Sequence, residues 1–321
     1  MNATLQFMTA PHPSPAQLLE AEKLRTILGI QPTPKTERWT TDSFDKQGIE
    51  VFVNRADTIH TWVQGNKWHK LLPFLLAAQK QRAGLESMGG AFSNHLVATA
   101  FCAQALGLPC RFYIRGSEQE WQQNAAIQQL RLWGATLVPT TRTEFSARSK
   151  LVLTPESTGY QWVPMGGSAP ESVPWVAAWA RSLANTETFD YIVVPVATAG
   201  TVAGFSLGWP KEKKLIAIEV LKGDGYLQAE WQNLTARFPK AEVSTPDWIN
   251  HYHFGGYART NPVLSQFCQS VYTAAHIPIE PIYSGKAFWA VSDLAGKGYF
   301  EEGSRILIVH TGGIFPWTLG R

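Results

Sequence analysis

The chain has 321 residues, 45% of them hydrophobic and 17% charged, which excludes a disordered chain and leaves room for two modest domains or one large one. Its net charge of +3 is too small and scattered for a nucleic-acid surface; the densest basic run, residues 211–214, contains a glutamate and follows Trp209-Pro210, as a solvated turn does. No apolar run approaches about 18 residues, residues 1–15 show no secretory signal, and Cys102, Cys110 and Cys268 have neither disulfide nor metal spacing, so a reduced, cytoplasmic protein with no metal, membrane or nucleic-acid partner is expected.

Residues 16–28 carry apolar side chains three and four apart and predict a helix. A β-rich run at 51–53 follows, then helical periodicity over 68–81 and 95–106. A strand at 111–114, a helix over 119–133, a strand at 136–138 and a helix over 173–183 come next. The last strands are predicted at 191–196, 215–220 and 305–309. These runs are apolar almost throughout rather than alternating, as strands covered on both faces are. Strand and helix in this order predict an α/β fold with mainly parallel sheets flanked by helices. Glycines cluster at Gly89-Gly90, Ala199-Gly200 and Gly312-Gly313, at or just beyond the ends of predicted strands. Prolines and glycines crowd residues 154–170, where a break is expected, and a second break is expected near residues 65–70. One domain is then inserted into the other: a large one of residues 1–69 plus 166–321, and a small α/β one of residues 70–165.

Five segments carry candidate chemistry. In Gln64-Gly65-Asn66-Lys67-Trp68-His69-Lys70-Leu71, Asn66 is placed to cap a helix starting near Lys67. A lysine in a first turn faces the positive end of the helix dipole, which lowers its pKa. Alone, such a lysine is more often a surface residue. Ser87-Met88-Gly89-Gly90-Ala91-Phe92-Ser93-Asn94-His95 is a short strand, a glycine turn and a capped helix start, whose free N–H groups suit a carboxylate or phosphate. Ala197, Thr198, Ala199, Gly200 and Thr201 follow an apolar strand and let the backbone wrap a phosphate. They lack the P-loop lysine and the GxGxxG spacing, which disfavours nucleotides. Glu280-Pro281-Ile282-Tyr283-Ser284-Gly285-Lys286-Ala287 and His310-Thr311-Gly312-Gly313 each pass for ordinary loops when read singly.

Taken together and in this order, GNKxxKL, GGxxSNH, the Gly/Thr loop, PxYxGKA and HTGG resemble a family of pyridoxal 5′-phosphate (PLP) enzymes. It contains 1-aminocyclopropane-1-carboxylate (ACC) deaminase and D-cysteine desulfhydrase. The likeness runs from about Pro32 to the C-terminus. It implies the two-domain tryptophan synthase β-like fold (fold type II), with PLP in the cleft between domains, and a homodimer. It further implies that Lys67 carries the cofactor, with Lys70 structural. Ala197, Thr198, Ala199, Gly200 and Thr201 would hold the phosphate, and Asn94 the 3′-oxygen of the ring. Ser93, Asn94 and His95 would meet the substrate carboxylate, with Ser93 also able to move a proton. Tyr283, and more loosely Tyr257, would face the substrate as catalytic residues.

Two positions separate the branches. ACC deaminases have Glu after the tyrosine of PxYxGK and Leu before the final Gly-Gly; this chain has Ser284 and Thr311, as D-cysteine desulfhydrase-like members do. A carboxylate beside the ring nitrogen makes a stronger electron sink than a hydroxyl. Opening a cyclopropane with no α-hydrogen calls for that sink more than β-elimination does. One departure is Leu96-Val97 after SNH, where many relatives have Thr-Arg; it bears on which substrate is used. The implied activity is a lyase or hydrolase reaction on a small amino acid: D-cysteine to pyruvate, sulfide and ammonia, with freed Lys67 or Tyr283 removing the α-proton. The alternatives are ACC to 2-oxobutanoate and ammonia, a serine racemase or dehydratase, and a PLP-binding protein without turnover.

Overall fold

A computed structural model of the chain describes residues 11–149, 158–223 and 225–318. Residues 1–10, and residues 154–157 of the expected break, lie outside that set. Helix α1 (Pro15–Ile27) opens on a capping box in which Ser14 and Gln17 exchange bonds. Strand β1 (Thr36–Trp39), helix α2 (Asp42–Lys46) and strand β2 (Glu50–Asn54) precede the long helix α3 (Asn66–Gln81). Four strands and the helices between them follow: β3 (Gly84–Gly89), α4 (Asn94–Ala105), β4 (Cys110–Arg115), α5 (Glu118–Trp121), α6 (Ala125–Leu132), β5 (Thr136–Thr140), α7 (Arg142–Arg148) and β6 (Tyr160–Val163). The chain continues through α8 (Val173–Thr186), β7 (Tyr191–Val196), α9 (Gly200–Gly208), β8 (Lys214–Glu219), α10 (Tyr226–Thr235) and β9 (Asp247–Ile249). It ends with α11 (Pro262–Ala275), α12 (Ser284–Gly296) and β10 (Arg305–Val309).

Two sheets organise these elements. One has the order β1-β2-β10-β7-β8-β9 and the other β5-β4-β3-β6. Every pairing is parallel except β1 with β2. All six residues of β7 are buried, with Tyr191 and Val193 in one apolar cluster and Ile192, Val194 and Val196 in the cluster on the opposite face. Helices cover both sides of that sheet, so its strands need no polar face. A third cluster joins α1, α3, α4 and α6 to Leu85, Phe112 and Ile114 of the smaller sheet.

The structure departs from the sequence reading where local chemistry intervenes. The single helix expected over residues 119–133 is two, because Asn124 accepts the Ile127 N–H at 3.2 Å and starts α6 afresh. Strand β6 lies inside the stretch expected as a break; its Trp162 and Val163 are buried against β3. Asn66 is not the cap of α3. Gly65 takes that place at φ +57°, and a Cβ there would stand 2.2 Å from the Thr311 carbonyl. Only glycine lets the start of α3 come this close to the end of β10.

Candidate active site

Parallel strands deliver their following loops to one edge, and ligands bind outside the carboxyl ends of such strands. Here β3 ends at Gly89, β7 at Val196 and β10 at Val309, and residues following each of them line one cavity of about 260 Å³. Its lining includes Lys67, Ser93, Asn94, His95, Ala197, Thr198, Thr201, Tyr257, Tyr283 and Thr311. Four motifs and a loop, scattered over more than half the chain, therefore meet in one place. Ala199 and Gly200 do not line the cavity; they are buried and start α9. Ser284 does not line it either, being buried behind Tyr283.

Lys67 sits in the first turn of α3, and burial pulls its amine down to about 8. Its Nζ donates to Asn66 Oδ1 at 2.5 Å, and Asn66 Nδ2 donates to Thr201 Oγ1 at 2.7 Å. Asn66 thus ties the lysine to the loop that begins α9, a role the sequence reading assigned to helix capping. Lys70, one turn on, is 1% exposed, and its Nζ donates to Ser168 Oγ at 2.7 Å and Thr198 Oγ1 at 3.0 Å. Burial, with Lys67 nearby, holds its pKa well below the usual lysine value. A buried cation among hydroxyls is costly without an anion. Lys70 is held against the Gly/Thr loop, where a bound anion would favour its charged form.

That loop fits a phosphate. The N-cap of α9, Ala199, brings no side-chain acceptor to the first N–H groups, which follow Ala197 and Thr198. Ser168 Oγ braces the loop, donating to Thr198 Oγ1 at 2.7 Å and accepting the Gly200 N–H at 3.2 Å. Lysine charge, hydroxyls and free helix N–H groups are the donor set an anionic ester takes. With Lys67 as an amine partly unprotonated near neutral pH, the cavity suits an aldehyde that also bears a phosphate.

The opposite wall is the start of α4. Ser93 caps it, accepting the Leu96 N–H at 3.4 Å. The imidazole of His95 is set by Ser87, whose hydroxyl donates to the Val163 carbonyl at 2.7 Å and lies 2.8 Å from His95 Nε2. Ser87 Oγ can then only accept, so Nε2 carries the proton and Nδ1 keeps a lone pair with no partner. Burial keeps this ring neutral. A lone pair repels a carboxylate, so the side chain of His95 does not serve the contact expected of it. Ser93, Asn94 and the first N–H groups of α4 are the donors at this wall whose chemistry suits a carboxylate.

Tyr257 and Tyr283 face each other with ring centres 6.3 Å apart. Burial raises both phenols, and the contact between them raises Tyr283 further and pulls against that rise in Tyr257. The loop that carries Tyr257 is pinned by Lys286, whose Nζ donates to the carbonyls of Val220, His253 and Gly256 at 3.1, 2.9 and 2.9 Å. The lysine of PxYxGKA thereby gains a purpose its motif did not disclose. Arg115, Phe145, Met165, Gly166, Pro195 and Leu221 also line the cavity, at positions the sequence did not single out as site residues. Each sits in an ordinary apolar or loop context, and only the fold brings it to the cavity.

Comparison with known proteins agrees with this geometry. A family model described as "Pyridoxal-phosphate dependent enzyme" matches residues 27–312. A Pyrococcus horikoshii protein, provisionally named a 1-aminocyclopropane-1-carboxylate deaminase, is 30% identical over 281 residues, covering 83% of this chain and 85% of its own. The mitochondrial bifunctional D-cysteine desulfhydrase/1-aminocyclopropane-1-carboxylate deaminase of Arabidopsis thaliana is 28% identical over 309 residues, covering 88% of this chain and 76% of its own. A crystal structure of an ACC deaminase homologue superposes with a TM-score of 0.75 at 26% identity, over 91% of this chain and 95% of the other. Lyase fits these relatives as a class; hydrolase, expected beside it, does not. Among the described residues, no helix is long and apolar enough to cross a membrane.

Proposed function

Because the chain belongs to the pyridoxal-phosphate dependent enzymes and uses PLP, we propose that it is a lyase of the D-cysteine desulfhydrase type, releasing pyruvate, sulfide and ammonia from D-cysteine. The observation that carries this reading is the chemistry at positions 284 and 311. Thr311 lines the cavity, Ser284 lies buried behind Tyr283, and among the described residues no carboxylate lines the cavity. When bound, PLP supplies an electron sink for the bond broken at the α-carbon.

The chain's own residues do the rest. Lys67 carries the cofactor at rest. Lys70, Thr198 and Thr201, with the first N–H groups of α9, hold its phosphate, and Asn94 meets the ring oxygen. Ser93, Asn94 and the start of α4 orient the substrate carboxylate. The α-proton goes to Lys67 Nζ rather than Tyr283, because the amine lies near 8 while the phenol is held well above its usual value. Tyr283 and Tyr257 are left as donors, placed to protonate the departing sulfur. Water enters only after the enamine product leaves.

ACC deamination is the second reading, and the names of the relatives favour it. A homodimer in a cytoplasmic setting belongs to the same proposal; Cys102, Cys110 and Cys268 are free and buried, as a reducing compartment permits. So does the division into residues 1–69 plus 166–321 and residues 70–165. The four-stranded sheet falls within the latter range, and the boundary at 69/70 crosses α3. Purified protein with D-cysteine should release sulfide and pyruvate in equal amounts. Sulfide-free turnover of ACC alone would replace this reading with the second.

A further inference from the structure

Glu280 is 1% exposed and stands just before α12. Its Oε1 accepts the N–H groups of Tyr283 at 2.9 Å and Ser284 at 2.8 Å, and its Oε2 accepts that of Ile282 at 2.7 Å. Ser284 Oγ accepts the Glu280 N–H at 3.0 Å and donates its own proton to Oε1 at 3.2 Å. The Glu280 carboxylate thus satisfies the N–H groups of the turn that enters α12, that of Ser284 at the helix start included, and fixes the backbone of Tyr283. A neutral serine or threonine performs capping at far lower desolvation cost. A fully buried glutamate in that role points to a use for its charge.

The groups that face it come from every neighbouring element. Its charge acts on Lys67 of α3, Lys286 of α12 itself, Cys268 of α11, Tyr257 of the loop after β9, and Tyr283 beside it. Asn94 approaches from α4 across Gly313. A Cβ at Gly313 would lie 2.5 Å from Asn94 Nδ2 and 3.4 Å from Glu280 Cγ, so glycine is what lets Glu280 stand just behind the cavity wall that Asn94 forms. Of the two cations, Lys286 is fully engaged with three carbonyls, while Lys67 has Asn66 alone.

We propose that Glu280 is the buried counter-ion of the site: a positioning residue that fixes Tyr283 and Ser284 and supplies the negative charge that Lys67 faces. Burial pushes Glu280 up to about 7 against the pull of its hydrogen bonds, and pulls Lys67 down to about 8 against the pull of Glu280. Ionised Glu280 keeps the proton on Lys67; neutralising it lets the proton go. Lys67 would then form its bond to an aldehyde at lower pH.

The test is the pH dependence of PLP rebinding by the full-length protein stripped of cofactor, followed by absorbance. The wild-type rate should rise through an inflection near 8. Glu280→Gln should move that inflection down by about one unit, the lower end of what a neighbouring opposite charge does. An unmoved inflection in soluble, folded Glu280→Gln overturns the proposal. Glu280→Asp keeps the charge while straining the helix start, so its inflection should stay near the wild-type position even where its melting temperature falls. A shift as large as that of the glutamine variant would mean that helix geometry, not charge, governs Lys67, and would also overturn it. Rebinding involves no substrate, so the outcome is independent of whether D-cysteine or ACC is turned over.

Discussion

Replacing Lys70 by methionine should weaken PLP binding and stabilise the protein without its cofactor. The two effects share one cause. Lys70 Nζ is buried beside Ser168 and Thr198 with Lys67 near, and its proton affinity is held far below that of an exposed lysine. Without PLP the unfolded chain binds this proton more readily than the folded one does. Stability must then rise with pH from neutrality towards the ordinary lysine value of about 10.4. Methionine fills similar space and removes that penalty, so the cofactor-free variant should melt several degrees higher at neutral pH and lose part of this pH slope; Lys67 supplies the remainder. A charge-assisted hydrogen bond is worth about 1.5–3 kcal/mol, so loss of the one to the phosphate should raise the PLP dissociation constant roughly 10- to 150-fold. Fluorescence titration with PLP and calorimetry of the stripped protein give the two numbers. Unchanged PLP affinity, or a lower melting temperature without cofactor, would refute the reasoning.

Lys67→Ala should abolish turnover, and borohydride should fix label on the Lys67 peptide of the unaltered protein; label on Lys70 or Lys286 would contradict the assignment. Thr201→Asp sets a carboxylate against the phosphate and breaks the bond from Asn66, and cofactor retention after dialysis should fall by roughly a hundredfold or more. Ser284→Glu with Thr311→Leu should move preference towards ACC. It should also cost stability, because the new carboxylate meets Glu280, already up near 7, and the pair cannot both ionise. A double variant as stable as the parent, with its D-cysteine to ACC ratio unaltered, would contradict that account.

The parallel fold was legible because β7, β8 and β10 are apolar on both faces, a pattern that partnered strands inside a sheet produce. Strands β1 (Thr-Glu-Arg-Trp) and β9 (Asp-Trp-Ile) were not, since edge strands carry polar residues and show no such run. Lys67, Asn94, Thr198 and Tyr283 could be named because their motifs are contiguous. Asn66 was misread as a cap, and the partner of Lys70 was not legible, because Thr201 and Thr198 lie 135 and 128 residues away and only the fold joins them. The tautomer of His95 was illegible for a similar reason: it is set by Ser87 and by the carbonyl of Val163 on the adjacent strand. Glu280 sat in plain view within its motif, yet nothing in the sequence tells a buried carboxylate from one on a surface turn.

The central claim is that a cavity lined by Thr311, and by no carboxylate among the described residues, suits this site to β-elimination over cyclopropane opening. The most direct test is kcat/KM for D-cysteine and for ACC on the same preparation, reading pyruvate and 2-oxobutanoate. D-cysteine should be favoured by about tenfold or more, equivalent to about 1.4 kcal/mol in barrier. An equal or greater value for ACC would contradict the account.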